Sequence, residues 1–294
     1  MEIFKILPWQ VWVLISGVLT GLAQMVGKSQ IHKITASQIG VLRDVTGWFL
    51  AVGVWLALGT GRFGWMSLIA LFNGAMVAVG VALYFKAVRS SLSGSTIFGY
   101  LISQVMLVVS SAIIFSEWVY FDPRTMQGVG NILALVLTMS AMAVYVRSLH
   151  LGRKWAVLLF ISAVINVVGN MLAKYFVSGK MDVWDYFFVE QTGLTLGGIL
   201  ILYQRKQGLN VGWENTKVGI LQGIIALLGP IIYLNVLALY PLSLSSLVRR
   251  IAAIAVTSIS GLLYYRERDG MGYRSYVSLI VAMLAFVIVM LVNR

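Results

Sequence analysis

The sequence predicts an all-α membrane protein of about ten transmembrane helices arranged as two inverted five-helix repeats. Three observations carry that prediction. Of its 294 residues 60% are hydrophobic and only 11% charged, against about a quarter charged in an ordinary soluble domain. Mean hydropathy is +0.90. The apolar runs are each about 20 residues, the length of helix that crosses about 30 Å of hydrocarbon. None shows the strict alternation, in segments of about ten, of a membrane barrel. Finally, polar residues recur between the halves. Gln24, Met25 and Lys28 in GLAQMVGKSQ (21–30) reappear as Asn170, Met171 and Lys174 in VVGNMLAKYF (167–176), and Ile15-Ser16 reappears as Ile161-Ser162 at the same offset.

Gly, Pro and charge clusters bound the helices. The first, near 9–27, follows MEIFKILPW and ends at Lys28. Its counterpart lies mid-chain, where cleavage makes no sense, so it reads as a retained span and not a signal peptide. The second, near 37–59, closes at Gly59 and Gly61, and the third, near 65–87, at Lys86 and Arg89. The fourth, near 93–115, stops before Glu117, and the fifth, near 125–146, follows Asp122-Pro123-Arg124. The sixth (153–177) opens at Arg153-Lys154, and the seventh (183–204) follows Gly179 and Asp182. The eighth (217–239) follows Arg205-Lys206 and contains Pro230, a candidate kink. Pro241 initiates the ninth (243–265), and the tenth (271–293) follows RERDG.

The repetition runs through these helices. Asn73-Gly74, Gly80 and Tyr84 of the third match Gln222-Gly223, Gly229 and Tyr233 of the eighth, and Glu117 after the fourth matches Glu267 after the ninth. The units are residues 1–148 and 149–294. Five helices is an odd number, so the second copy enters the bilayer from the opposite side, the inverted-repeat plan of carriers with a mid-membrane site. Gly17 with Gly21, Gly193 with Gly197, and Gly219 with Gly223 have the spacing of close helix contacts.

The composition excludes much else. There is no Cys and there are two His, His32 and His150, both in predicted loops, so neither disulfides nor a metal centre is expected. The net charge of +12 is scattered through short connections and forms no groove for nucleic acid. No H-E-x-x-H, G-x-S-x-G or Gly-rich phosphate loop occurs, so neither an enzyme nor an ATP-driven pump is expected. A membrane-embedded enzyme or a ligand sensor is the alternative of another class.

The residues that could carry chemistry are polar groups inside apolar helices. Arg249 and Arg250 lie about two turns into the ninth helix, where each charge costs roughly 2.5–3.5 kcal/mol and needs compensation. A guanidinium fork suits carboxylate or phosphate. The alternative is that one pairs with Asp44 or Glu190 while the other reaches the interface. Adjacent residues lie about 100° apart on a helix, so both are not expected to reach one ligand group equally. Arg43 and Asp44 in the second helix stand where the seventh has Glu190 and Gln191. An Arg43–Glu190 pair across the repeats and proton coupling are both open readings. Gln24 and Asn170 could bind substrate or hold neighbouring helices, and Tyr84, Tyr100 and Tyr233 are candidate aromatic walls. Trp9, Trp65, Trp155 and Trp184, near helix ends, read as interface anchors. Lys28 and Lys174 suit helix C-termini electrostatically, or could act with Glu117 and Glu267 as gates.

Over its full length the chain resembles the EamA-type proteins of the drug/metabolite transporter superfamily. The resemblance rests on two five-helix repeats, Lys28 and Lys174, Arg43, and the acids Glu117 and Glu267, and above all on SSLVRRIAAIAVTSISGLLYYRE (245–267). That segment is also similar to the sugar-phosphate and nucleotide-sugar translocators, whose basic pair is typically Lys-Arg where this chain has Arg-Arg. The superfamily's small multidrug exporters carry a first-helix carboxylate that this chain lacks. The resemblance implies a secondary-active carrier, an exchanger or proton-coupled, for a small metabolite. With the arginine pair it points to a carboxylate or phosphate on the cargo; neutral or zwitterionic metabolites such as amino acids are the alternative. No cofactor is expected. The expected partners are a small-molecule substrate and the lipid bilayer, with the chain a monomer or homodimer in the plasma membrane. Basic residues concentrate in the odd-numbered connections, which by the positive-inside rule puts both termini outside; the resemblance implies the opposite.

Overall fold

The structure is a computed structural model and describes residues 7–147, 152–265 and 273–293. Within them run ten long helices: α1 (Trp9–Gln30), α2 (Ala36–Leu58), α3 (Trp65–Val88), α4 (Leu92–Ile114), α5 (Met126–Arg147), α6 (Arg153–Val177), α7 (Val183–Gln204), α8 (Trp213–Leu239), α9 (Leu242–Leu263) and α10 (Tyr273–Val292). Nine are long and apolar enough among the described residues to cross a membrane, and the chain is an integral, multi-pass, all-helical membrane protein. His150, Glu267 and the 148/149 boundary lie outside the described residues.

Local chemistry starts these helices. Thr35 opens α2 with a capping box: its Oγ1 accepts from the Gln38 N–H at 3.3 Å, and Gln38 Oε1 accepts from the Thr35 N–H at 2.9 Å. Ser91 caps α4 by accepting from the Gly94 N–H at 3.0 Å, and Asp182 caps α7 by accepting from the N–H groups of Trp184 and Asp185. Once started, the helices satisfy their own backbone groups, as hydrocarbon demands. Side chains such as Phe49, Leu56, Phe72 and Ile113 face outward, where lipid is as apolar as they are.

Glycine sets the interior spacing. A Cβ on Gly74 of α3 would lie 1.9 Å from the Glu190 carbonyl oxygen of α7, and one on Gly193 of α7 would lie 1.9 Å from the Leu71 carbonyl oxygen of α3. Gly223 of α8 meets the Arg43 carbonyl of α2 at 2.7 Å, and Gly17 of α1 meets the Arg249 carbonyl of α9 at 2.3 Å, by the same construction. These seams draw α2, α3, α7 and α8, and α1 with α9, around the middle of the molecule, while α5 and α10 pack on each other.

The structure departs from the expected elements in four places. α1 continues past Gly27 to Gln30, and α8 begins at Trp213, ahead of Lys217. A 3-10 helix, Glu117–Phe121, follows α4 where a plain loop was expected. α8 otherwise runs through Pro230 to Leu239, the end expected from the sequence. Trp155 is no interface anchor: it is 7% exposed, packs against Phe98 and donates to Ser95 Oγ at 3.0 Å.

Candidate functional site

α1–α4 and α6–α9 enclose a central cavity of about 310 Å³. Its polar wall consists of Thr20 and Gln24 from α1, Arg43 and Asp44 from α2, Tyr84 from α3, Tyr100 and Ser103 from α4, Asn166 and Asn170 from α6, Glu190 and Gln191 from α7, Gln222 and Tyr233 from α8, and Arg249 and Arg250 from α9. Every residue read from the sequence as a substrate contact or coupling group therefore borders one space.

Both arginines border that space, and the alternative, in which one pairs with an acid while the other leaves for the interface, does not hold. Arg250, 4% exposed, donates through Nη1 to Gln104 Oε1 at 2.7 Å and through Nη2 to Asn166 Oδ1 at 3.1 Å. Its guanidinium carbon lies 5.6 Å from the Tyr100 ring centroid. Arg249 donates through Nη2 to Thr20 Oγ1 at 3.1 Å and lies over the Tyr233 ring at 4.3 Å. Its Nε is buried without a partner. Each cation is thus held by neutral amide or hydroxyl oxygen and an aromatic face. Neither forms an ion pair among the described residues, where the pairs are Arg43–Asp44 and Lys217–Glu214.

The expected Arg43–Glu190 pair does not form either. Arg43 folds back onto its own neighbour, with Nε 2.6 Å from Asp44 Oδ1 and Nη2 on the same oxygen. Asp44 is 2% exposed, and a carboxylate so buried needs a charged partner. Glu190 uses Oε1 to accept from Tyr186 Oη at 2.9 Å and from Asn73 Nδ2 at 3.0 Å.

The neutral residues form two networks. Gln24 donates to Tyr100 Oη at 2.9 Å and accepts from Thr96 Oγ1 at 3.2 Å, and Thr96 also bonds Tyr84 Oη at 2.7 Å. Asn170 donates to the Asn166 backbone carbonyl at 2.7 Å and to its Oδ1 at 3.2 Å, which links it to Arg250. Sequence reasoning missed Gln104, Asn166 and Gln222. Each is an amide inside an apolar helix, the signal that could have found them. Both amide ends of Gln222 are buried without a partner.

Lys28, Lys174 and Glu117 do not border the cavity. Lys28 Nζ donates to the Val88 carbonyl at 2.7 Å at the end of α3, and Lys174 Nζ to the carbonyls of Leu237 and Tyr240 at 2.7 and 2.9 Å at the end of α8. Glu117 accepts from the Leu242 and Ser243 N–H groups at 2.6 and 2.8 Å at the start of α9. These charges neutralise orphan backbone groups at helix ends. Glu267 lies outside the described residues. Among the described residues no cluster of His, Cys, Asp and Glu could hold a metal ion.

No protein-family model matches the chain, and no curated protein matches it. Among solved structures, a chain described only as "Crystal structure of protein" has a similar fold. The TM-score is 0.70 over 97% of this chain and 98% of that one, at 13% sequence identity.

Proposed function

We propose that this chain is a secondary-active carrier, related to the EamA-type transporters, that moves a small metabolite bearing a carboxylate or phosphate across a membrane by alternating access. The observation that carries the reading is the pair of guanidinium groups, Arg249 and Arg250, on a membrane-buried cavity with no ion-pair partner among the described residues. Three guanidiniums meet two carboxylates there, and Arg43 and Asp44 cancel each other. An anion is the ligand that best compensates the excess.

Contacts that recur in both halves support the inverted repeats. Ser16 Oγ donates to the Gly229 carbonyl at 2.7 Å, and its match Ser162 to the Gly80 carbonyl at 2.9 Å. Lys28 binds the Val88 carbonyl and Lys174 that of Leu237. Gly74 abuts the Glu190 carbonyl while Gly223 abuts that of Arg43. Two halves holding each other by the same bonds can rock about a fixed central site. Gly99-Tyr100 stands in α4 where α9 has Arg249-Arg250, so the second half supplies the anion contacts. The reading includes exchange or proton coupling with no ATP, no enzymatic step, and the plasma membrane.

The test is thermal stability of the purified protein against organic carboxylates, sugar phosphates, nucleotide sugars, amino acids and organic cations. A ligand at about 100 times Kd stabilises the folded state by about 2.7 kcal/mol. Anions should raise Tm. Arg250→Lys keeps the charge but loses the fork, and should weaken binding about tenfold; Arg250→Gln should weaken it further. Stabilisation by neutral solutes or amino acids alone, or by anions equally in both variants, overturns the anion reading.

A further inference from the structure

Among the polar atoms on this cavity without a protein partner, which include both amide ends of Gln222 and Tyr233 Oη, two are complementary. Arg249 keeps a buried, unbonded Nε. Glu190 has both donors, Tyr186 Oη and Asn73 Nδ2, on Oε1, and its Oε2 meets no donor among the described residues. Arg249 and Glu190 border the same cavity, yet the two form no ion pair. The remaining groups around Glu190 are committed elsewhere. On α2, Arg43 and Asp44 close on each other. From α6, Lys174 is spent on α8 carbonyls. Tyr233 of α8 lies under Arg249. On α7 itself, Asp185 is bound by Trp55 and the α2–α3 loop. α3 presents neutral Asn73.

We infer that Glu190 is a proton-coupling site, protonated at Oε2 when the cargo anion is bound and ionised when the cavity is empty. The inference rests on the anion reading above. An ionised Glu190 repels an anion in the same low-dielectric chamber and competes with it for Arg249. A neutral carboxylic acid does neither: Oε1 keeps both donors as a carbonyl oxygen, and Oε2–H can donate to the cargo opposite Arg249. Proton and anion therefore favour each other's binding reciprocally. Glu190 takes the proton from the aqueous phase to which the cavity opens and returns it on the other side, so one proton travels with each anion.

Sulfate and methanesulfonate test this, since neither changes charge between about pH 5.5 and 8, where perturbed carboxylates titrate. In thermal-shift titrations their apparent affinity for the wild-type protein should fall as pH rises, by up to about tenfold per unit for one linked proton. In Glu190→Gln it should no longer vary with pH. In proteoliposomes of wild-type protein, an inward sulfate gradient should acidify the lumen, a measurement that needs no variant. A pH dependence that survives in Glu190→Gln, or sulfate uptake without lumen acidification, overturns the proton site and leaves the anion reading standing. If no anion stabilises the wild-type protein at any pH, the anion reading fails and this inference fails with it.

Discussion

Replacing Gly74 by Ala should part α3 from α7. The new Cβ would lie 1.9 Å from the Glu190 carbonyl oxygen and 2.7 Å from the Leu194 nitrogen. Relaxed contacts between heavy atoms are about 3.5–4.0 Å, so the helices must separate by on the order of 1 Å. The obstacles are backbone atoms of a hydrogen-bonded helix, which cannot swing aside as a side chain could. Overpacking costs about 1–3 kcal/mol, which exceeds the roughly 0.5–1 kcal/mol that Ala gains over Gly in a helix. Gly193→Ala strikes the same seam from the other side, 1.9 Å from the Leu71 carbonyl oxygen. Once one substitution has opened the seam, the second meets less resistance, so the double variant should lose little more than the worse single one. Melts of purified single and double variants, followed by tryptophan fluorescence, read this directly. Wild-type stability in Gly74→Ala, or fully additive losses in the double variant, would refute the reasoning.

Two other features support further expectations. The Asp185 carboxylate, buried beside the α2–α3 loop, accepts from Trp55 Nε1, Thr60 Oγ1 and the N–H groups of Thr60, Gly61 and Arg62. Asp185→Asn turns an amide N–H toward some of these donors and should cost about 2 kcal/mol, seen as a lower Tm and faster proteolysis between α2 and α3. Lys174→Met strands the Leu237 and Tyr240 carbonyls and Glu117→Gln weakens the cap on α9. Each should cost about 1–2 kcal/mol, with Tm lowered and anion affinity changed less than in Arg250→Gln; an unchanged Tm in both argues against the capping role.

The cavity was largely legible in the sequence because hydrocarbon makes polar residues conspicuous. Gln24, Asn170, Tyr84, Tyr233 and the arginine pair could be singled out one at a time, since each sits in an apolar segment and most recur in the other half. What each one bonds was not legible. An Arg43–Glu190 pair was open because the two stand at matched places in the two halves. An arginine stem is long enough to curl back to the next residue, and the deeper burial of Asp44 decides the pairing. Lys28 and Lys174 read as charges suited to the C-termini of their own helices because the carbonyls they serve belong to helices distant in sequence. Trp155 read as an anchor because nothing local announces that Phe98 and Ser95 cover it.

The two kinds of matched position separate by what they bond. Ser16 and Ser162, and Lys28 and Lys174, repeat in identity, and both members of each pair spend their polar group on a backbone carbonyl. These are scaffold bonds, each tying one helix to the backbone of another. Arg43 against Glu190, and Gly99-Tyr100 against Arg249-Arg250, correspond in place but not in charge, and all of them border the cavity. On the proposed carrier reading, a scaffold that closes on either side equally has reason to keep its bonds symmetric, whereas a cargo with one anionic end is not symmetric and gains from charges that are not. Broken charge symmetry therefore marks the charged positions of the cavity, while its neutral matches, Tyr84 with Tyr233 and Gln24 with Asn170, keep their character. On that criterion Glu190, the acid standing where the first half has Arg43, belongs with the arginine pair and not with Lys174 and Glu117.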